Sequence, residues 1–206
     1  MKETDIQSLG ILLFPRFELL DVFGPAEMFG VLRDRVRLIM VAEEAGPVAS
    51  NQGPRVVADA DLDDCPALDM LLVPGGMGTR EDVNNRKLLD WLAERGHDTP
   101  LIMSVCTGTA LLAQAGLLEG RPATTNKRSF QWVTEQGPAV EWVREARWVD
   151  DGDRVTSSGV SAGMDMALHV IEREFGAETA EAVAAGTEYE WHRDAAWDPF
   201  AKLYEP

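Results

Sequence analysis

Cys106, Asp21 and the pair Gly75-Gly76 are the residues of this chain whose types and settings point to chemistry. Ser104-Val105-Cys106-Thr107-Gly108 follows an apolar run and opens a stretch rich in Ala and Leu. That is the strand–turn–helix setting of a nucleophile elbow, with cysteine where the hydrolase pattern G-x-S-x-G has serine. A cysteine at a helix N-terminus meets the dipole and free backbone N–H groups, which favour thiolate over thiol. Such a turn also lies at the carboxyl end of a strand, where open α/β sheets bind ligands. Cys106 is therefore read as a reactive nucleophile.

A thiolate nucleophile benefits from an anion-stabilising pocket. Pro74-Gly75-Gly76 ends a neighbouring apolar run, and two glycines let the backbone approach a ligand closely. With the N–H of Thr107, Gly75 and Gly76 form the expected oxyanion-type hole. The acid is Asp21, set between Leu20 and Val22 just past the first apolar run. Beside a thiolate and buried, its carboxyl should have a raised pKa and hold a proton. Glu27 reads as a solvated helix residue. Of three histidines, His97 reads as surface and His169 as helix packing, and His192 lies in an aromatic tail. None is next to Cys106, so no Cys-His-acid triad is read. Cys65, in Asp64-Cys65-Pro66, reads as structural. No Cys/His/Asp spacing marks a metal site and no phosphate loop is present, so neither metal nor cofactor is expected.

The elements that must hold these residues alternate. Residues 9–14, 37–41, 70–73 and 101–105 are apolar on both faces, as parallel strands covered by helices should be. Between and after them, helical patterns run over 25–33, 81–95, 107–115, 129–135, 161–174 and 177–188. Pro25 is placed at a first helical position and Gly116 at a C-terminal cap. Residues 48–58 and 148–155 read as extended arms or hairpins, the second turning at Asp151-Gly152. The order predicts one α/β domain over residues 1–206, with a doubly wound, mostly parallel sheet and helices on both faces. The tail, residues 191–206, carries Trp191, Trp197, Phe200 and Tyr204 without a period. It is expected to lie over the body or a partner, with a lid over the site as the alternative.

Composition narrows the partners. The 206 residues are 45% hydrophobic and 26% charged, with 35 acidic and 19 basic side chains and a formal net charge of −16. That charge disfavours broad contact with nucleic acid or an anionic membrane, and favours a small neutral substrate. No apolar run approaches the roughly 20 residues of a membrane span, and no signal peptide is read. Two cysteines in a chain of this size fit a reducing, cytoplasmic setting.

Several segments together resemble the ThiJ/PfpI superfamily, whose flavodoxin-like fold is related to the class I glutamine amidotransferases. They are Ile11-Leu12-Leu13-Phe14-Pro15 with Leu20-Asp21-Val22-Phe23-Gly24-Pro25, then Val73-Pro74-Gly75-Gly76 and Ser104-Val105-Cys106-Thr107-Gly108. The stretch Ala115 to Thr125, then Ser158-Gly159-Val160-Ser161-Ala162-Gly163-Met164-Asp165 and Asp198-Pro199-Phe200 complete the set. Asp in the first loop and Thr after the Cys resemble the isocyanide hydratase branch. The resemblance implies Cys106 as nucleophile, Asp21 as acid/base, Thr107 as hydroxyl and backbone donor, and Gly76 in the hole, in a homodimer. The protease-like branch has His where this chain has Thr107, and the glyoxalase and deglycase branch has Glu where it has Asp21. Many relatives carry His where this chain has Asn126. Some relatives are sensor domains of transcription regulators; with no helix-turn-helix region up to Pro206, a complete regulator is not expected. The implied activity is addition of water to an isocyanide through a Cys106 thioimidate. The alternatives are a ligand-binding or cysteine redox-sensing role, and glyoxalase-type chemistry on α-oxoaldehydes.

Overall fold

Four apolar segments form the middle of the sheet, as their two-sided hydrophobicity requires. The computed structural model describes residues 6–204. In chain order the first half comprises β1 (Gln7–Leu13), α1 (Leu19–Gly30), β2 (Val36–Ala42), β3 (Gly46–Ala49), β4 (Arg55–Ala58), β5 (Ala60–Asp61), β6 (Met70–Val73), α2 (Thr79–Asp82) and α3 (Arg86–Asp98). The second half comprises β7 (Leu101–Val105), α4 (Gly108–Gln114), β8 (Pro122–Ala123), α5 (Phe130–Gln136), β9 (Glu141–Trp142), β10 (Trp148–Asp150), β11 (Arg154–Ser157), α6 (Ala162–Phe175), α7 (Ala177–Gly186) and α8 (Phe200–Leu203).

Seven strands form one sheet in the order β10-β11-β7-β6-β1-β2-β5. All neighbours are parallel except β10 and β11. Every residue of β6 and β7 is buried, so helices cover both faces of the sheet centre. One helical group joins α1, α6 and α7, and another joins α3, α4 and α5. The chain passes from β1 to β2 on one side and then returns to β6 on the other. The loops after β1 and β6 therefore diverge, and the crevice between them is where a doubly wound sheet places its ligand. Both hairpins form, β3 with β4 and β10 with β11.

Two helices differ from the sequence reading. The helix expected over 25–33 is α1, which begins at Leu19 and holds Pro25 in its interior. Pro25 has no N–H for the Asp21 carbonyl, but Val22, Ala26 and Phe29, at helical spacing, bury one apolar face against the core. The shift puts Asp21 in the first turn of a helix rather than in a loop. The helix expected over 81–95 is two pieces, α2 and α3. Asn85 starts the second by accepting a hydrogen bond from Leu88 N at 3.3 Å, the cap that an Asn supplies.

The tail lies on the body. Arg147 N donates to the Ala195 carbonyl at 2.8 Å, and Asp198 N donates to that of Glu145 at 2.8 Å. Among the described residues no helix is long and apolar enough to cross a membrane.

Candidate active site

The parallel register of β6 and β7, Val73 beside Ser104, brings Gly75-Gly76 and Cys106-Thr107 together past the sheet edge. Cys106 has φ +58°, the left-handed conformation that a sharp strand-to-helix turn demands. Its backbone is fixed from both sides. The N–H donates to the carbonyls of Ser157 and Ser158 at 3.2 Å each. The carbonyl accepts from Thr125 Oγ1 at 2.7 Å and Thr109 Oγ1 at 3.3 Å. The strain of a non-glycine residue at positive φ is held by that surrounding network.

Asp21 has no exposed surface. Its Oδ2 accepts from Gly75 N at 2.9 Å, while Oδ1 is buried without a partner. Burial pushes its pKa up to about 8, with Glu18 adding to the rise and the Gly75 N–H opposing it. Cys106 responds in the same direction. Burial first, and the Asp21 charge second, push the thiol well above its ordinary value, against the N–H and hydroxyl of Thr107. The thiolate expected from the helix dipole is therefore outweighed by desolvation, because α4 is short and Cys106 is largely buried.

The glycine donors face a different target from the one expected. Gly75 N–H is engaged by Asp21, and Gly76 N–H donates to Thr107 Oγ1 at 3.0 Å. Thr79 Oγ1 lies 3.1 Å from Thr107 Oγ1 and donates to the Gly76 carbonyl at 2.8 Å. A Cβ on Gly75 would meet Thr107 N at 2.5 Å and Asp21 Oδ2 at 2.9 Å, so this close approach requires glycine. Gly75 and Gly76 thus position the acid and the hydroxyl, and the N–H aimed at the sulfur is that of Thr107.

A cavity of about 670 Å³ opens over Cys106 and Thr107. Arg80, Asn126, Ser158, Phe200 and Tyr204 line it, none of them a site residue in the sequence reading. Phe200 and Tyr204 make the tail part of the cavity wall. Arg80 follows the Gly75-Gly76 turn by four residues, a sequence position at the same sheet edge that could have flagged it. Asn126 stands near Gly159, where a Cβ would meet its Nδ2 at 2.0 Å. No histidine lines this cavity among the described residues. His97 is exposed, His169 bonds Asp150 Oδ2 at 2.7 Å, and His192 packs on Trp197. Cys65 is a buried free thiol remote from this cavity's wall.

Comparison with known proteins gives the family and the fold. The DJ-1/PfpI family model matches residues 7–173. Isonitrile hydratase of Pseudomonas putida is 34% identical over 181 residues, 88% of this chain and 78% of that protein. The HTH-type transcriptional regulator GbdR of Pseudomonas aeruginosa is 32% identical over 189 residues, 89% of this chain but 51% of the regulator, so the chain spans about half its length. A crystal structure of a ThiJ/PfpI family protein from Pseudomonas syringae, 33% identical, superposes with a TM-score of 0.84 over 91% of this chain and 77% of that one.

Proposed function

Because the chain belongs to the DJ-1/PfpI family, we propose that it hydrates an isocyanide to an N-formamide through a covalent bond to Cys106. The observation that carries this reading is a buried carboxyl of raised pKa beside the thiol, with the glycine donors already engaged by Asp21 and Thr107. Attack on a carbonyl builds charge on oxygen and calls for free donors. Attack on the terminal carbon of an isocyanide instead leaves a carbon that must take a proton, which calls for an acid.

The working form of the pair holds one proton between Asp21 and Cys106. Sulfur bonds to the terminal carbon as the Asp21 carboxyl gives that carbon its proton, leaving a thioimidate and a carboxylate. Asp21 then takes a proton from water as the oxygen bonds to the carbon, and passes it to nitrogen. As the carbon–sulfur bond breaks, the hydroxyl proton returns to Asp21 and the formamide leaves. Atoms and charge balance, and the pair is restored. Thr107 N–H and Oγ1 support the negative sulfur at each end of the cycle.

Intact-mass measurement after rapid mixing with an aryl isocyanide tests the covalent step. The expected result is transient gain of one isocyanide mass on Cys106, followed by formamide. Formamide without any adduct at Cys106, or an adduct elsewhere, defeats it. A second reading, ligand binding without turnover, is favoured by the identity to the regulator, and it predicts neither adduct nor product. The redox-sensing alternative predicts selective oxidation of Cys106 by peroxide without formamide production.

A further inference from the structure

The charge of the cavity wall is opposite to that of the chain. Arg80, Lys127 and Arg128 line it against one acid, Glu18. Lys127 is buried and directs its Nζ to Thr124 Oγ1 at 2.7 Å and the Ala146 carbonyl at 2.6 Å. Glu18 accepts from Gln52 Nε2. Arg80 is set up differently. Its guanidinium stacks on Trp132, Cζ 4.0 Å from the ring centroid. One N–H group donates to Ser129 Oγ at 2.9 Å and another to Thr79 Oγ1 at 3.2 Å. Among the described residues no carboxylate pairs with it, although other arginines, such as Arg16 and Arg121, do pair.

A guanidinium has five N–H donors in a fixed fork. Two here go to neutral hydroxyls, and the ring and those hydroxyls hold the fork rigid at the mouth of the sulfur site. It has no carboxylate partner among the described residues and is half-buried, and a planar anion is what such a fork fits.

We propose that Arg80 is a specificity-determining residue that binds a carboxylate on the substrate, while Cys106 acts on the uncharged isocyanide end. For the reacting end the inference rests on the function proposed above. The anion site itself is independent of it. The whole-chain charge is a poor guide here, because the acids lie elsewhere on the surface and local donors set the field in the cavity.

Iodoacetate and iodoacetamide, nearly equal in size and differing in charge, test this on Cys106 by mass spectrometry. Relative to a free thiol, the wild-type chain should show an iodoacetate-to-iodoacetamide rate ratio raised about tenfold, the size of a charge-assisted hydrogen bond in a part-exposed site. Arg80→Gln should return the ratio to that of the free thiol, and Arg80→Lys should keep part of it. No raised ratio, or a raised ratio that survives Arg80→Gln, overturns the proposal. So does a fall in both rates at constant ratio, which assigns Arg80 to the sulfur rather than to an anion. If neither reagent labels Cys106, calorimetry with 3-formamidopropanoate and its methyl ester reads the same contrast, and equal affinities overturn the proposal. A raised ratio in a protein that turns over no isocyanide sinks the proposed reaction and leaves the anion site standing.

Discussion

Asp21 and Asp165 each sit in the first turn of a helix with no exposed surface, and their surroundings are opposite. Asp165 accepts from Arg147 Nε at 2.7 Å, from Tyr189 Oη at 3.0 Å and from His192 N at 2.8 Å, with a second Arg147 nitrogen at 2.6 Å. That is a fully partnered carboxylate pinning the start of the tail to α6. Asp21 has one backbone donor, no cation and one oxygen with no partner. The same residue type is a clamp where its charge is met and an acid where it is not. Burial without a counter-charge is what lets Asp21 hold a proton near neutrality.

Asp21→Asn is expected to break the contrast most. Loss of the proton relay should cut turnover by about 10³-fold, within the range of general acid–base catalysis. The same change should stabilise the fold at pH 8 by a few kcal/mol, since a raised carboxyl costs stability there. Hydration rates and denaturant unfolding measured on one preparation check both, and a loss of stability together with activity would contradict the assignment. Arg147→Met should do the reverse. Breaking a buried pair from one side costs about 3–5 kcal/mol, seen as a lower denaturation midpoint, while the reaction per folded molecule persists.

Acidity gives a smaller, graded test. The folded Asp21 keeps a proton that the unfolded chain, at its ordinary 3.8, has lost. Its contribution is therefore fully present below pH 4 and is lost as pH rises towards about 8. Urea titrations should show that slope in the wild type and a flatter one in Asp21→Asn. Turnover should climb over the same interval and level off above it, because the working pair carries one proton fewer than the resting pair. A rate that is flat from about pH 6 to 9 would remove Asp21 from the reaction. Gly75→Ala, whose Cβ meets Thr107 N and Asp21 Oδ2, should cost about 1–3 kcal/mol by overpacking.

The fold was legible where burial on both faces left a single pattern. The runs 70–73 and 101–105 are strands to the residue, since continuous apolar runs between turns have few other uses. The sharp turn at Cys106 was legible because an elbow is local, and the burial of Asp21 because it is an acid among apolar neighbours. The helix start at Leu19 was hidden by Pro25, whose local preference yields to packing of Val22, Ala26 and Phe29. The cavity wall was hidden for a different reason. Arg80, Asn126, Ser158 and Tyr204 come from four separate segments, and no spacing along the chain encodes their meeting. The raised thiol was hidden too, because desolvation is a property of the assembled site and not of the motif.

Formyl-proton NMR of an isocyanide incubated with wild type, Cys106→Ala and Asp21→Asn tests the central claim most directly. The account predicts steady formamide production by the wild type and background rates in both variants. Product formed equally by Cys106→Ala, or none formed by the wild type, would contradict it.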